Sequence, residues 1–237
     1  MRYVVEEDEQ ARVTRLVDAE ARASDLFDVV VDRGLLTPEV GERAVSDAIR
    51  DLAAEMFGVD RWWHKRIVRA GPNTLKPYRE NPPDRKLATD DIVFLDFGPI
   101  FEQWEADFGR TYVLGDDPRK HALHDALTQV WDAGRDVFAA TPEITGAQLY
   151  EQMCALAKEA GWEFGGHIAG HLVGQFPHEK ISGNTVQEHI MPGSDQLMRR
   201  RDNVGLTCHW ILEVHLVDRE RGFGGFCEQL LDIGPNA

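Results

Sequence analysis

Between residues 167 and 178 the chain carries three histidines, His167, His171 and His178, spaced four and seven apart and separated by Gly170 and Gly174. Imidazoles this dense suit a metal site or a proton-transfer site, and they also occur in loops that are merely His-rich. The stretch HIAGHLVGQFPHEK does not choose among the three. Four carboxylates elsewhere bear on the choice. Asp96 ends the apolar run IVFLD, and Asp107 precedes a strand-like segment that begins at Gly109. Glu213 lies inside WILEVHL and Glu228 inside FGGFCEQLLDI. Strands fill their inward positions with apolar side chains, and a buried carboxylate without a partner is costly, so such groups must be paired, protonated or bound to metal. Taken singly, each has an ordinary explanation as an edge, turn or outward-facing residue.

As a set, four carboxylates with one or two imidazoles form a hard, oxygen-rich donor group that suits Mn, Fe, Co or Zn and disfavours a thiolate site. They carry more negative charge than one divalent ion neutralises, which points to two ions sharing bridging oxygens. Such a pair polarises a carbonyl or phosphoryl oxygen and generates a hydroxide nucleophile near neutral pH.

The elements that must position these residues are readable in outline. Residues 6–33 are charge-rich with apolar positions at Val13, Leu16, Val17, Leu26 and Val29, a helical pattern. Thr37 and Pro38 read as the N-cap and first position of a second helix that stops near Phe57 and Gly58. A short strand at 66–68 leads into the proline-rich loop GPNTLKPYRENPPDRKL. DIVFLDFG (91–98) and GRTYVLG (109–115) read as two strands close enough to pair. A helix is predicted from Pro118 to about Ala140. Another follows, opened by a capping box at Thr145 and Gln148 and ending at Gly161. Strands return at 164–173, 207–217 and 223–233. Helices then strands, twice over, is an α+β arrangement in two similar halves.

Forty-one acidic against twenty-six basic residues give a net charge of −15 in 237 residues. That argues against nucleic acid or an anionic membrane as partner, since both need a positive footprint. MRYVVEEDEQ is not a signal peptide, no apolar run reaches membrane-spanning length, and three cysteines without a CxxC pair suggest neither a disulfide framework nor a zinc knuckle. A cytoplasmic location is expected.

The segment DFGPIFEQWEADFGRTYVLG resembles the two-aspartate signature of the pita-bread metallopeptidases, the family of methionine aminopeptidase, aminopeptidase P and prolidase; Asp96 and Asp107 keep its eleven-residue spacing. HIAGHLVGQFPHE is similar to the same family's Gly-His signature, with His171 and His178 seven apart. Glu213 and Glu228 follow in the order of the last two ligands. The resemblance covers roughly residues 35–233. It implies a pita-bread fold: two pseudo-symmetric halves around a central curved antiparallel sheet covered by helices, here residues 35–237 behind an N-terminal helical segment, 1–34. It further implies that Asp96 binds one metal, His171 and Glu213 the other, and that Asp107 and Glu228 bridge them. A hydroxide between the metals would attack an N-terminal amide, with His178 stabilising the oxyanion, Glu213 shuttling the proton and His167 lining the substrate site.

The implied activity is that of an Xaa-Pro aminopeptidase or dipeptidase acting on a peptide or small amide. Alternatives are a methionine aminopeptidase-like enzyme, a hydrolase of a non-peptide amide in a specialised pathway, and a non-catalytic peptide-binding module. A homodimer is compatible with the family. Two departures stand out. The loop before the first-Asp strand lacks the family's substrate-contacting histidine, leaving Lys76 or Tyr78 in that region, and His64 lies far upstream. Phe226 and Gln229 flank Glu228 where an Arg and an acid are usual. No separate N-terminal domain is expected. His64, His121, His124, His189 and His209 read as surface or packing residues. His215, two beyond Glu213, is expected to share its strand face.

Overall fold

The computed structural model describes residues 9–178 and 186–234; the acidic first residues and the last two of the His-rich stretch, 179 and 180, lie outside them. Two helices come first, α1 (Glu9–Asp32) and α2 (Glu42–Phe57). Strands β1 (Ile67–Ala70), β2 (Ile92–Phe97), β3 (Ile100–Phe101), β4 (Trp104–Glu105) and β5 (Phe108–Val113) follow. The second half opens with α3 (Pro118–Ala140) and α4 (Gly146–Glu159). Its strands are β6 (Glu163–Phe164), β7 (Gly170–Val173), β8 (His209–Asp218) and β9 (Phe223–Leu230). This is the α+β pita-bread architecture. A seven-stranded sheet runs β1-β2-β5-β9-β8-β6, with β7 also on β8, and every pairing is antiparallel.

Local sequence explains most boundaries. Helix α1 buries Arg12, Leu16, Ala19, Ala23, Leu26, Phe27 and Val30, one face at helical spacing. Helix α4 starts where expected because the Thr145 hydroxyl accepts from the Gln148 N–H while the Gln148 side chain accepts from the Thr145 N–H. Helix α2 starts later than expected. Thr37 is not its cap: the Thr37 hydroxyl donates to the Gly34 carbonyl, and residues 40 and 41 pair with the chain at 86 and 87 before the helix begins at Glu42. The other end is as read, with Gly58 in the left-handed conformation that closes the helix.

Strand β2 is buried along its whole length, which is why its sequence is a continuous apolar run instead of an alternating one. Val93, Leu95 and Phe97 face the core made with α1 and α2. A second core joins α3 and α4 to Leu212, Val214 and Leu216 of β8. The helices therefore cover one face of the sheet, and the intervening residues Phe94, Asp96, Glu213, His215, Phe226 and Glu228 point to the other. Phe27 meets the rings of Phe97 and Phe108 edge to face at 5.9 and 5.2 Å, so α1 shares the first core. Among the described residues no helix is long and apolar enough to cross a membrane.

Candidate metal centre

Antiparallel register puts the carboxylates in one row. Asp96 of β2 lies opposite Gly109 of β5, Gly109 opposite Glu228 of β9, and Glu228 opposite Glu213 of β8. Residues directly opposite across a pair project from the same face, so three acids converge over a gap left by a residue with no side chain. Gly109 is required there: a Cβ would lie 2.6 Å from the Phe226 ring and 3.0 Å from the Glu228 Cβ. Asp107, two residues before Gly109 and immediately ahead of β5, projects to the same side. His171 enters from β7, whose pairing sets it opposite Ile211, two residues from Glu213.

The resulting contacts are tight. His171 Nε2 is 3.0 Å from Asp107 Oδ2 and 3.7 Å from oxygens of both Glu213 and Glu228. Its Nδ1–H donates to the Leu172 carbonyl at 2.7 Å. Asp107 is buried, as are Asp96 and Glu228. Two groups among the described residues have the makings of a cation site: Asp107 with His171 and Glu228, and Asp96 with Asp107 and His64, the ligand atoms of each lying within 4.8 Å of one another.

Electrostatics show what the cluster lacks. Burial pushes Asp96 up to about 6 and Glu213 up to about 7, against the pull of His64 and His171 respectively. Burial also drives Glu228 well above the usual carboxylate range, and neighbouring Asp107 and Glu213 add to it. Asp107 goes the other way: burial opposes its ionisation, but His64 and His171 together hold it low. Burial disfavours the charged forms of His64 and His171 too, yet the carboxylates prevail, lifting His64 to about 9 and His171 well above its ordinary value. Three buried carboxylates and the half-buried Glu213, crowded around two imidazoles, form a donor set that suits metal cations.

Most, not all, of the residues singled out in the sequence meet here. Asp96, Asp107, His171, Glu213 and Glu228 converge. His178 stands beside them, its ring parallel to that of His171 with centroids 6.5 Å apart. His167 does not join the cluster; it is exposed in the bend between β6 and β7. His215 shares the face but is tied to structure: buried, it donates from Nε2 to the Thr74 carbonyl at 2.9 Å, and burial lowers its pKa to about 4.

Three participants were not legible in the sequence. His64, read as surface or packing, is a half-buried residue whose side chain is only 6% exposed, with Nε2 3.1 Å from Asp107 Oδ1 and 3.6 Å from Asp96 Oδ1. Trp63 stands edge-on to the rings of His64, His171 and His178, with centroids 4.5 to 5.7 Å away, and donates from Nε1 to the Ala106 carbonyl at 2.9 Å. Glu105 is buried and accepts from His178 twice, from the backbone N–H and from Nδ1. Its place on β4, two residues before Asp107 in WEADFG, was the available signal. Tyr78 reaches the region as anticipated, edge-on to His64 at 6.1 Å.

Sequence comparison agrees with this geometry: residues 15–204 match metallopeptidase family M24. The chain belongs to that family. Among curated M24 relatives, a putative Xaa-Pro aminopeptidase from Mycoplasma pneumoniae is 32% identical over 128 residues, 53% of this chain and 36% of that protein. An Xaa-Pro dipeptidase from Lactobacillus delbrueckii is 27% identical over 146 residues, covering 59% and 38%. The chain thus spans less than half the length of these relatives. Among solved M24-like structures, a dipeptidase from Mycobacterium ulcerans superposes with TM-score 0.67 at 26% identity, covering 91% of this chain and 54% of that one. A methionine aminopeptidase from Rickettsia prowazekii superposes with TM-score 0.65 at 15% identity, covering 92% and 91%, a likeness of fold alone.

Proposed function

We propose that this M24 chain is a two-metal hydrolase that cleaves an N-terminal amide, of Xaa-Pro type in preference to methionine type. The observation that carries the reading is the row Asp96, Glu228, Glu213 closed by Asp107 and His171, a donor set whose burial demands about two divalent ions' worth of charge. Asp96 would hold one ion and His171 with Glu213 the other, with Asp107 and Glu228 contributing to both. When bound, such ions polarise the scissile carbonyl and acidify a water molecule. Glu213 accepts the proton of the attacking water and delivers it to the leaving amine. His178, braced by Glu105 at its backbone N–H and at Nδ1, presents the other edge of its ring to the oxygen that gains charge. Trp63 closes the histidine side of the site with an apolar ring, which limits water there. The geometry gives His167 no step. The Xaa-Pro preference draws on the M24 relatives named for that activity.

The test is an assay of purified protein, loaded with Mn, Co, Fe or Zn, against Xaa-Pro and Met-Ala peptides. Turnover of Xaa-Pro substrates is expected. Two bound ions with no turnover of either peptide class would rule out the peptidase assignment and leave a non-peptide amide as the substrate.

A further inference from the structure

We propose that His64 is itself a metal ligand, forming with Asp96 and Asp107 a nitrogen-bearing site that mirrors the one His171 forms with Asp107 and Glu228. The inference rests on the two-ion reading above and deepens it: each ion receives one imidazole.

The wiring of the two histidines is the first argument. Each ring places Nδ1 2.7 Å from the carbonyl of the residue that follows it, Lys65 for His64 and Leu172 for His171. A backbone carbonyl accepts only, so Nδ1 carries the hydrogen in both and Nε2 is turned inward. A metal-binding histidine is held in this way, its outer N–H engaged so that tautomer and ring orientation are fixed. Both Nε2 atoms then reach the same carboxylate from opposite sides, His64 at Oδ1 of Asp107 and His171 at Oδ2, 3.1 and 3.0 Å away. Asp107 is thereby the link between two equivalent corners.

The second argument is the surroundings of Nε2. With Nδ1 engaged as donor, a neutral His64 aims its remaining lone pair at oxygens of Asp107 and Asp96, an arrangement of acceptors against acceptors. Only a cation at that point, a proton or a metal ion, reconciles three acceptors. Nor is the ring there by default. Gly98, just beyond β2, leaves the space it fills: a Cβ at that position would lie 2.2 Å from His64 Cδ2 and 2.4 Å from its Nε2. Trp63 packs on the ring from one side and Tyr78 from another. The ring is thus cradled with its nitrogen already directed, as a preorganised ligand should be.

One consequence concerns metal choice. Imidazole favours Zn, Fe and related ions, whereas carboxylate and water suit Mn and Mg. A nitrogen in each corner shifts both sites toward the former.

The experiment uses the full chain, stripped with chelator and titrated with Co(II) and with Zn(II), reading stoichiometry by elemental analysis, affinity by calorimetry and the Co(II) visible spectrum. Two ions are expected for the unmodified chain. His64→Ala should retain one ion at unchanged affinity, bind the other at least ~10-fold more weakly, and alter the Co(II) spectrum. Ring-nitrogen NMR of the unmodified chain with Zn(II) should move Nε2 of both His64 and His171 into the metal-bound range, a result that stands even where the variant fails to fold. Two ions bound to His64→Ala with unchanged affinity, or a His64 ring unmoved by Zn(II), overturns this inference and leaves the two-ion reading intact. An unmodified chain that binds no ion overturns both.

Discussion

At the scale of single residues the site divides into groups that hold charge and groups that aim it. His178 and Glu105 belong to the second kind, because Glu105 takes the Nδ1 edge and so fixes which edge of the imidazole faces the substrate. His178→Ala should lower kcat by ~10²–10³, the usual cost of one preorganised donor to a developing oxyanion, with both metal ions still bound. Glu105→Gln should change kcat in the same direction by less, because the His178 ring loses the carboxylate that orients it at Nδ1. A kcat unchanged in Glu105→Gln would reduce that contact to packing. The five carboxylate and imidazole positions at the centre were legible from the sequence because acids inside apolar strand runs are conspicuous. His64 was not, since it precedes β1 and reaches Asp107 only because the segment at 62–63 pairs with residues 98 and 99, which sets the ring beside Gly98. Glu105 escaped notice because a two-residue strand has too little periodicity to mark an inward face.

At the scale of elements, close approach of strands and docking of helices carry the design. Gly109 sits between Asp96 and Glu228, and Gly109→Ala would force the Phe226 ring and Glu228 apart from β5; a loss of ~1–3 kcal/mol in denaturant unfolding is expected, together with weaker metal loading. No change in either would mean that β5 and β9 can separate freely. The docking of α1 is tied to charge. His209 of β8 is buried and bonded at both nitrogens to carboxylates, Nδ1 to Asp232 and Nε2 to Glu9 of α1, each at 2.8 Å. Both ring nitrogens donate only in the imidazolium, and Asp232 with Glu9 raises the His209 pKa despite its burial. A base with a raised folded pKa adds stability that is complete below its unfolded value near 6.5 and disappears as pH rises through the folded one. Amide exchange along α1 should accordingly quicken as pH rises through that window, beyond the intrinsic base catalysis of exchange. His209→Gln should flatten the dependence. Exchange of equal steepness in the variant would remove His209 from the account. The elements themselves were largely readable because caps and periodicity are local. The start of α2 was not, since Thr37 is drawn back to Gly34 and residues 40 and 41 are claimed by a partner more than forty residues away, which no local pattern encodes.

At the scale of the whole molecule the sheet acts as a partition. Two helix-covered cores occupy one face, and the other concentrates unbalanced negative charge in a chain already at −15. The fold therefore buries, at its centre, carboxylates that are held partly protonated in the absence of cations, with Asp96 near 6 and Glu213 near 7. Any divalent ion that binds the folded chain and not the unfolded one stabilises it by mass action, by about 2.7 kcal/mol when present at a hundred times its Kd. For a chain of this size that corresponds to a rise in Tm of roughly 5–10 °C for the first ion. The stabilisation must also depend on pH in a defined direction. Metal binding requires ionised carboxylates and neutral imidazoles, so it releases protons, and its advantage grows as pH rises from 5 toward 8. Thermal melts of chelated and Co(II)-loaded protein across that range should diverge with increasing pH. Curves that coincide at every pH would show that the buried acids satisfy one another without metal, and would leave the row of carboxylates without the task assigned to it.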